Sequence, residues 1–261
     1  MLNLLTDKSI RIENPTTERI LQWPDPLQKA LRRDLLNLLL VALPKMPVEE
    51  CEVWVSDFFK EPGGSFQRHT ILLRNMEQRL IGTSIFDCGL VRYEEKVLKS
   101  VYMISSAVLP RYQGGGIGKG IGTFVLKRFT PDVLFSACTQ SQMLHSRVGL
   151  CQGGLVTGYD VYPRLERQNE KDVLITLPYQ KLDVVISVFK QVYLGLVDGV
   201  EAQVNAAVNN LTVHLVRKNM VQSRFDFDPW FKNEREDKLA RMLGLSGKDG
   251  VLVTFIKKPD K

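Results

Sequence analysis

The chain has 261 residues, of which 44% are hydrophobic and 25% are charged, and it carries a formal charge of +6 at pH 7. This composition excludes a disordered or fibrous chain and is typical of a globular protein with one large domain or two small ones. The basic residues are dispersed in pairs such as Arg32-Arg33 and Lys257-Lys258, which favours a solvated surface over a nucleic-acid interface.

The cysteines and the apolar runs predict whether the chain binds a metal and where in the cell it lies. Four cysteines show neither CxxC nor Cys/His spacing, so the sequence predicts no metal site and free thiols in a reducing compartment. The longest apolar run, residues 35–43, is far shorter than the roughly 20 residues that span a bilayer. The first residues turn polar too early for a cleavable leader. We therefore expect a cytoplasmic protein without membrane or nucleic-acid partners.

The first hundred residues predict one helix followed by strands. Asp25-Pro26 has the form of an N-cap followed by proline, and Pro44 ends the helix. One face of that helix carries Leu27, Leu31, Leu35 and Leu38. Residues 51–59 (CEVWVSDFF) alternate well enough to predict a strand. The predicted strands that follow, an antiparallel meander leading into a glycine-rich stretch, span residues 69–74, 79–93 and 97–109.

Residues 101–129 read as a strand, a glycine loop and a helix. Pro110 ends the strand and the glycines at 114–118 let the chain bend. A helix start has unpaired N–H groups and a positive dipole end, so the loop is a candidate phosphate site. A Walker loop does not fit, because Gln113 and Gly120 stand where it needs glycine and serine or threonine, and no start gives the dinucleotide spacing. A turn without ligand is the alternative.

The pattern that does fit is Q-x-x-G-x-G, as Gln113, Gly116 and Gly118. The segment V-L-P-R-Y-Q-G-G-G-I-G that contains it resembles the acyl-CoA-binding motif of the GNAT (N-acetyltransferase) superfamily, whose loop wraps the pyrophosphate of coenzyme A. This resemblance implies an α/β fold with a mixed, mostly antiparallel sheet, a splayed parallel strand pair and flanking helices. The implied acetyl-CoA-binding residues are Ser106, Ala107, Val108, Gln113, Gly114, Gly115, Gly116, Ile117, Gly118 and Lys119.

The resemblance also suggests where chemistry would occur. The strand at 132–139 is expected to pair in parallel with the motif strand, and a helix at 140–148 follows. Aligning Gly149 with a family glycine places His145 where the family usually has tyrosine, so His145 is the candidate for protonating the departing thiolate. Asp87, in a predicted strand, is the candidate for orienting an amine or relaying its proton, with a water relay as the other route. His69 and His214 lack spaced metal partners and are predicted to be structural.

The sequence suggests a division near residue 180. Residues 1–180 are predicted to form the GNAT-like acyl-CoA-binding domain, with last strands at 155–162 and 172–177. Residues 181–261 are predicted to form a mostly helical extension of unknown role. Its helices are predicted at 182–196 and 204–215 and between Asp228 and Gly244, before a strand at 251–256.

These expectations combine into a hypothesis with two rivals. The chain is expected to move the acetyl group of acetyl-CoA to the amine of a small molecule or a protein, without a metal. A non-catalytic acyl-CoA-binding module, regulatory or interacting, is the first alternative, favoured by the missing tyrosine and the long C-terminal part. A different phosphate-ligand binder, such as a nucleotide protein, is disfavoured because both other fingerprints fail. A homodimer is among the assemblies left open.

Overall fold

The computed structural model describes residues 9–44, 46–138, 141–152, 154–194, 204–209, 212–217, 241–243 and 250–259. In chain order the elements are β1 (Arg11–Glu13), α1 (Thr17–Leu21), α2 (Asp25–Ala42), α3 (Val48–Asp57), β2 (Phe66–Arg74), β3 (Leu80–Tyr93), β4 (Lys96–Val108), α4 (Ile117–Phe129), β5 (Val133–Cys138), α5 (Ser141–Gln152), β6 (Tyr159–Tyr162), β7 (Arg164–Gln168), β8 (Lys171–Ile175), α6 (Leu182–Leu194), β9 (Val204–Asn209), β10 (Thr212–Arg217) and β11 (Gly250–Lys257).

Nine of these strands form one sheet in the order β1-β2-β3-β4-β5-β11-β10-β9, with β6 also beside β11. Among the described strand pairs, β4 and β5 run parallel and the others antiparallel. Strands β7 and β8 form a separate hairpin. The predicted fold class, a mixed and mostly antiparallel sheet with one parallel pair, is confirmed.

Helices cover both faces of the sheet. On β5, Leu134 belongs to the hydrophobic cluster under α4 and α5, whereas its neighbour Phe135 belongs to the cluster under α6. On β3, Phe86 likewise joins the first cluster and Ile85 the cluster under α2 and α3. Because successive strand residues point to opposite faces, α4 and α5 lie on one side and α2, α3 and α6 on the other. No helix in the described ranges has the length and apolarity needed to cross a membrane.

Helix α2 is confirmed, with a different start from the one predicted. Asp25 is its first helical residue rather than its N-cap, since Pro24 holds the cap position and no side chain caps the first turn. Leu31, Leu35 and Leu38 of the predicted face are buried, but Leu27 is 55% exposed because it precedes the part of the helix that packs on the sheet.

The strand predicted at residues 51–59 is wrong, because these residues belong to helix α3 and the loop after it. Pro47 precedes the helix, and Glu49 and Glu50 lie in its first turn, where carboxylates favour the positive end of the helix dipole. Cys51 and Val55, four residues apart, are both buried. That spacing outweighs the short alternation of apolar and polar residues.

The helix predicted at residues 204–215 is also wrong. Strands β9 and β10 occupy this region and pair antiparallel, with Thr212 opposite Asn209 and Arg217 opposite Val204. The segment is rich in β-branched valine, whose restricted χ1 favours a strand over a helix. His214 consequently lies in a strand and not in a helical region.

The C-terminal part is therefore not mostly helical where the structure describes it. Helix α6 and strand β11 are confirmed, whereas most of the helix predicted between Asp228 and Gly244 lies outside the described residues. The expected last strands are only partly right: β6 joins β11, but β8 lies in the separate hairpin, and the neighbour of β5 is β11. The division at residue 180 stays a prediction, and the main sheet runs across it.

Candidate functional site

A V-shaped cleft opens between the two parallel strands. Strands β4 and β5 pair from Ser100↔Val133 to Met103↔Ser136. Beyond this point β4 continues to Val108 and β5 to Cys138 without further pairing between them. The separation begins at a β-bulge, where Ile104 is the extra residue opposite β3. A bulge bends its strand, so the expected splay of this pair has a local cause and is confirmed.

The splay leaves one side of β4 open. Past Met103, the backbone groups of β4 that point away from β3 have no strand partner in the part of the chain that the structure describes. Unpaired strand groups are available to an extended ligand that carries amides. At the end of this edge the Gln113 side chain donates from Nε2 to the Val108 carbonyl at 2.8 Å. Gln113 thus ties the glycine loop to the strand, and Ser106 and Ala107 lie along the open edge.

The glycine loop presents an uncapped helix start. Gly114 and Gly116 have φ of +79° and +86°, a left-handed conformation that glycine adopts without strain. Gly116 occupies the N-cap position of α4, and no side chain caps the first turn. A Cβ at Gly114 would meet no atom within 4 Å, so the space beside the loop is open. The free N–H groups and positive dipole end of α4 therefore fit a phosphate group.

Of the other predicted cofactor residues, Gly115 lies in the loop, and Ile117, Gly118 and Lys119 lie in the first turn of α4. Ile117 is buried in the core and offers only backbone groups to a ligand. Gly118 allows α4 to approach α5 closely, because a Cβ there would lie 3.1 Å from the Ser146 hydroxyl. The Lys119 side chain lies against Gly149 of α5, 3.3 Å from where a Cβ of Gly149 would be. Gly115 completes the loop.

A buried arginine that sequence reasoning missed lies at the apex of the cleft. Arg147 of α5 is only 4% exposed. Its guanidinium donates from Nε to Ser136 Oγ at 3.2 Å, from Nη1 to the Gly118 carbonyl at 3.2 Å and from Nη2 to Ser106 Oγ at 3.5 Å. The three acceptors belong to β5, α4 and β4. Arg147 therefore bridges the splayed strands beneath the helix that follows the loop.

Neighbouring hydroxyls extend this polar group into the sheet. The Ser106 and Ser84 hydroxyls are 2.8 Å apart, and Ser84 Oγ also donates to the Ser105 carbonyl at 2.9 Å. Burial lowers the pKa of Arg147, an effect opposed by the Cys138 thiol nearby. Nothing local in the sequence indicates these contacts, because an arginine in a helix is usually exposed and only the sheet register brings Ser106 and Ser136 together.

The two predicted catalytic residues lie on opposite faces of the sheet. His145 is exposed on α5, which extends to Gln152 instead of ending at 148. Asp87, on β3, is fully buried and accepts two hydrogen bonds of 2.9 Å from Arg68, whose guanidinium also donates to the Asp57 carbonyl at the end of α3. Burial raises the pKa of Asp87, an effect that Arg68 opposes. The structure does not bring the two together, and their catalytic roles stay predictions.

The absence of a metal also stays a prediction. Within the described ranges, no three or more His, Cys, Asp or Glu side chains are grouped so that they could hold a metal ion.

Comparisons with known proteins give only distant structural similarities. No protein-family model matches the sequence, and no curated protein matches it. A Corynebacterium glutamicum structure described as a histone acetyltransferase and related acetyltransferase is 14% identical over 64% of this chain and 93% of its own, with a TM-score of 0.37. An aminoglycoside 6'-N-acetyltransferase from Acinetobacter baumannii is 15% identical over 46% of this chain and 71% of its own, with a TM-score of 0.29. A GNAT family acetyltransferase from Staphylococcus aureus is 13% identical over 46% of this chain and 78% of its own, with a TM-score of 0.31. TM-scores this low do not assign a function to this chain.

Proposed function

We propose that this chain is an N-acetyltransferase of the GNAT type, which moves the acetyl group of acetyl-CoA to an amine acceptor. The observation that supports this proposal best is the continuity of three features: an uncapped helix start behind a glycine loop, the open edge of β4, and the cleft where β4 and β5 separate. Coenzyme A has the same order of groups, namely phosphates, an arm with two amides and a terminal thiol.

Each part of that path has residues suited to its role. The N–H groups of Gly114 to Lys119 would bind the pyrophosphate, and the Lys119 ammonium, which lies beside Gly149 of α5, would add a positive charge. On the open edge, Ser106 and Val108, on either side of Ala107, have backbone groups that point away from β3 and would pair with the amides of the arm. From Val108 back to the bulge at Ile104 is about 13 Å of strand, at about 3.3 Å per residue. Coenzyme A supplies the acyl group as a reactive thioester.

The amine acceptor must lose a proton, because an alkylamine with a pKa near roughly 10 is mostly protonated at neutral pH. Both oxygens of Asp87 accept hydrogen bonds from Arg68. We therefore propose that Asp87 stabilises the sheet beside the acceptor and that water accepts the proton of the amine. His145, with its exposed imidazole, is the proposed donor to the departing sulfur. The acceptor is an amine of a small molecule or a protein.

A non-catalytic acyl-CoA-binding module is the second candidate. The observation that favours it is the exposure of His145, since the position where the resemblance implies a catalytic tyrosine holds an exposed histidine. Both candidates bind coenzyme A, but only the enzyme releases its thiol in the presence of an amine. A thiol-release assay with a panel of amines separates them, and His145→Phe should lower turnover without changing the affinity for acetyl-CoA.

The first experiment is calorimetric titration with acetyl-CoA, with ATP and NADH as controls. We expect micromolar binding that is specific to acetyl-CoA and is abolished in Gly116→Asp, which puts bulk and negative charge where the pyrophosphate would lie. Gly158→Asp is the matched control, because Gly158 has nearly the same φ, +85°, and lies outside the loop. Undiminished binding by Gly116→Asp, or equal loss in both variants, would contradict the proposal.

A further inference from the structure

Arg147 is a buried cation whose described partners are all neutral. Its guanidinium bonds to two serine hydroxyls and one backbone carbonyl. Among the described residues, no carboxylate oxygen lies within ion-pair distance of it. Taking a charge out of water costs free energy that neutral acceptors offset only in part. A site that holds such a cation is electrostatically prepared for an anion.

The position of the guanidinium shows which anion can reach it. It contacts Ser136, the last β5 residue paired with β4, and Ser106 on the open edge beyond the bulge. A ligand laid along that edge from the glycine loop would therefore bring its far end to Arg147. Arg147 also contacts the Gly118 carbonyl in the first turn of α4, but helix carbonyls point away from the N–H groups that would bind the phosphates. The group that reaches Arg147 beside Ser136 is therefore the sulfur.

We infer that Arg147 is the counter-ion of the coenzyme A thiolate, an inference that rests on the proposed function. When the amine nitrogen bonds to the acyl carbon, the carbon–sulfur bond breaks and its electron pair stays on sulfur. The amine proton leaves to water, so charge and atoms balance with a thiolate beside the guanidinium. Arginine stays protonated throughout the physiological range, so Arg147 would hold the sulfur as a thiolate until it receives the proton that we propose His145 donates.

A thiol of the chain itself already lies near this cation. Burial raises the pKa of Cys138 to about 11, and the Arg147 guanidinium acts in the opposite direction. The other titratable groups on the elements that Arg147 contacts are Lys96, Lys99 and Tyr102 on β4, Lys119, Lys127 and Arg128 on α4, and His145 and Cys151 on α5. Of these, His145 is exposed, and burial raises the pKa of Cys151 to about 11. Arg147 is therefore the buried cation of this group.

The test compares the affinities of coenzyme A and desulfo-coenzyme A between pH 6 and 9.5 by calorimetry. The two ligands share every phosphate, so the ratio of their affinities reports the thiol alone. A free thiol has a pKa of about 8.5. Each unit by which Arg147 lowers the pKa of the bound thiol raises the affinity ratio about tenfold. The rise occurs between the pKa of the bound thiol and the pKa of the free thiol. We expect at least a tenfold rise, with proton release to buffer on binding of coenzyme A only.

Three variants make the result specific to this residue. Arg147→Gln should bind coenzyme A with a ratio that is independent of pH, and Arg147→Lys should keep part of the rise. Arg164→Gln is the matched control, because Arg164 is paired with Glu166 outside the cleft. A melting curve checks that each variant is folded. If Arg147→Gln does not fold, the comparison of the two ligands on the unmodified protein decides alone.

The results that would refute the role of Arg147 differ from the result that would refute the proposed function. A ratio that does not change with pH, while both ligands bind the unmodified protein, overturns the role of Arg147 and leaves the proposed function in place. A rise that persists in folded Arg147→Gln overturns it too. If neither ligand binds the unmodified protein at any pH, the proposed function itself is wrong and this inference falls with it.

Discussion

The buried ion pair between Arg68 and Asp87 should be a major determinant of stability. The side chains are 7% and 0% exposed, and two hydrogen bonds of 2.9 Å join them. Arg68→Met would leave the Asp87 carboxylate buried without its cation, and breaking a buried pair in this way costs about 3–5 kcal/mol. The variant also removes the donor to the Asp57 and Lys60 carbonyls at the end of α3.

The pH dependence of the stability lost in Arg68→Met shows whether the unpaired charge of Asp87 causes the loss. Burial raises the pKa of Asp87 even with Arg68 present, and without Arg68 it should rise further. A carboxyl whose pKa is higher in the folded state stabilises the fold below its unfolded pKa, and that stability is lost as the pH rises through the folded value. The free energy lost in Arg68→Met should therefore be smaller at pH 4 than at pH 7.

Urea denaturation followed by tryptophan fluorescence measures these losses. The double variant Arg68→Met/Asp87→Leu is the matched control, because it removes both charges and should lose less stability than Arg68→Met alone. A loss below about 1 kcal/mol in Arg68→Met, or an equal loss in the single and double variants, would refute the electrostatic argument.

Other predictions concern the helix contact, a buried histidine and a buried thiol. Gly122→Ala should destabilise the protein by about 1–3 kcal/mol in a denaturation assay, because its Cβ would lie 2.6 Å from Leu150 Cδ1, and Leu150→Ala in the same chain should relieve part of the loss. His69 packs against two phenylalanine rings, and its pKa is lowered to about 4, mainly by burial. Between pH 6.5 and 4, the unfolded chain therefore binds a proton that the folded chain does not. Stability should therefore fall by about 3 kcal/mol between pH 6.5 and 4, and His69→Leu should flatten this slope. Cys138, with its pKa raised to about 11, should resist alkylation at pH 8 until urea unfolds the chain, and rapid labelling of the native protein would contradict its burial.

The glycine-loop region could be predicted from the sequence because its determinants are local. Pro110 and the glycines mark the turn, and the observed ends of β4 and β5 lie within one residue of the prediction. The sequence does not predict helix α3, because the short alternation at 51–59 competes with the helix signals of Pro47 and of Cys51 and Val55 four residues apart. The sequence predicts a helix at 204–215 where the structure has strands, because apolar residues at helical spacing can equally alternate along two short strands.

Features that depend on distant pairing could not be predicted. Nothing near β5 indicates that β11 will lie beside it, since the match between Leu134 and Phe255 joins residues far apart in the chain. The surroundings of Arg147 have the same origin, because Ser106, Ser136 and Gly118 meet it only after the sheet and two helices have packed. Asp87 was correctly placed on a strand, but its partner Arg68 was not foreseen.

The position of β11 in the sheet has a consequence for the order of folding. Strands β2, β3 and β4 and helix α4 are consecutive, so they close short loops and can assemble early. Strand β5 gains its second neighbour only when β11, which begins at Gly250, reaches it. On the ribosome, the glycine loop can thus form long before the wall of the cleft that carries Ser136 is fixed. The end of the cleft at the glycine loop would therefore form first, and the end at Ser136 waits for the chain to be synthesised through Lys257.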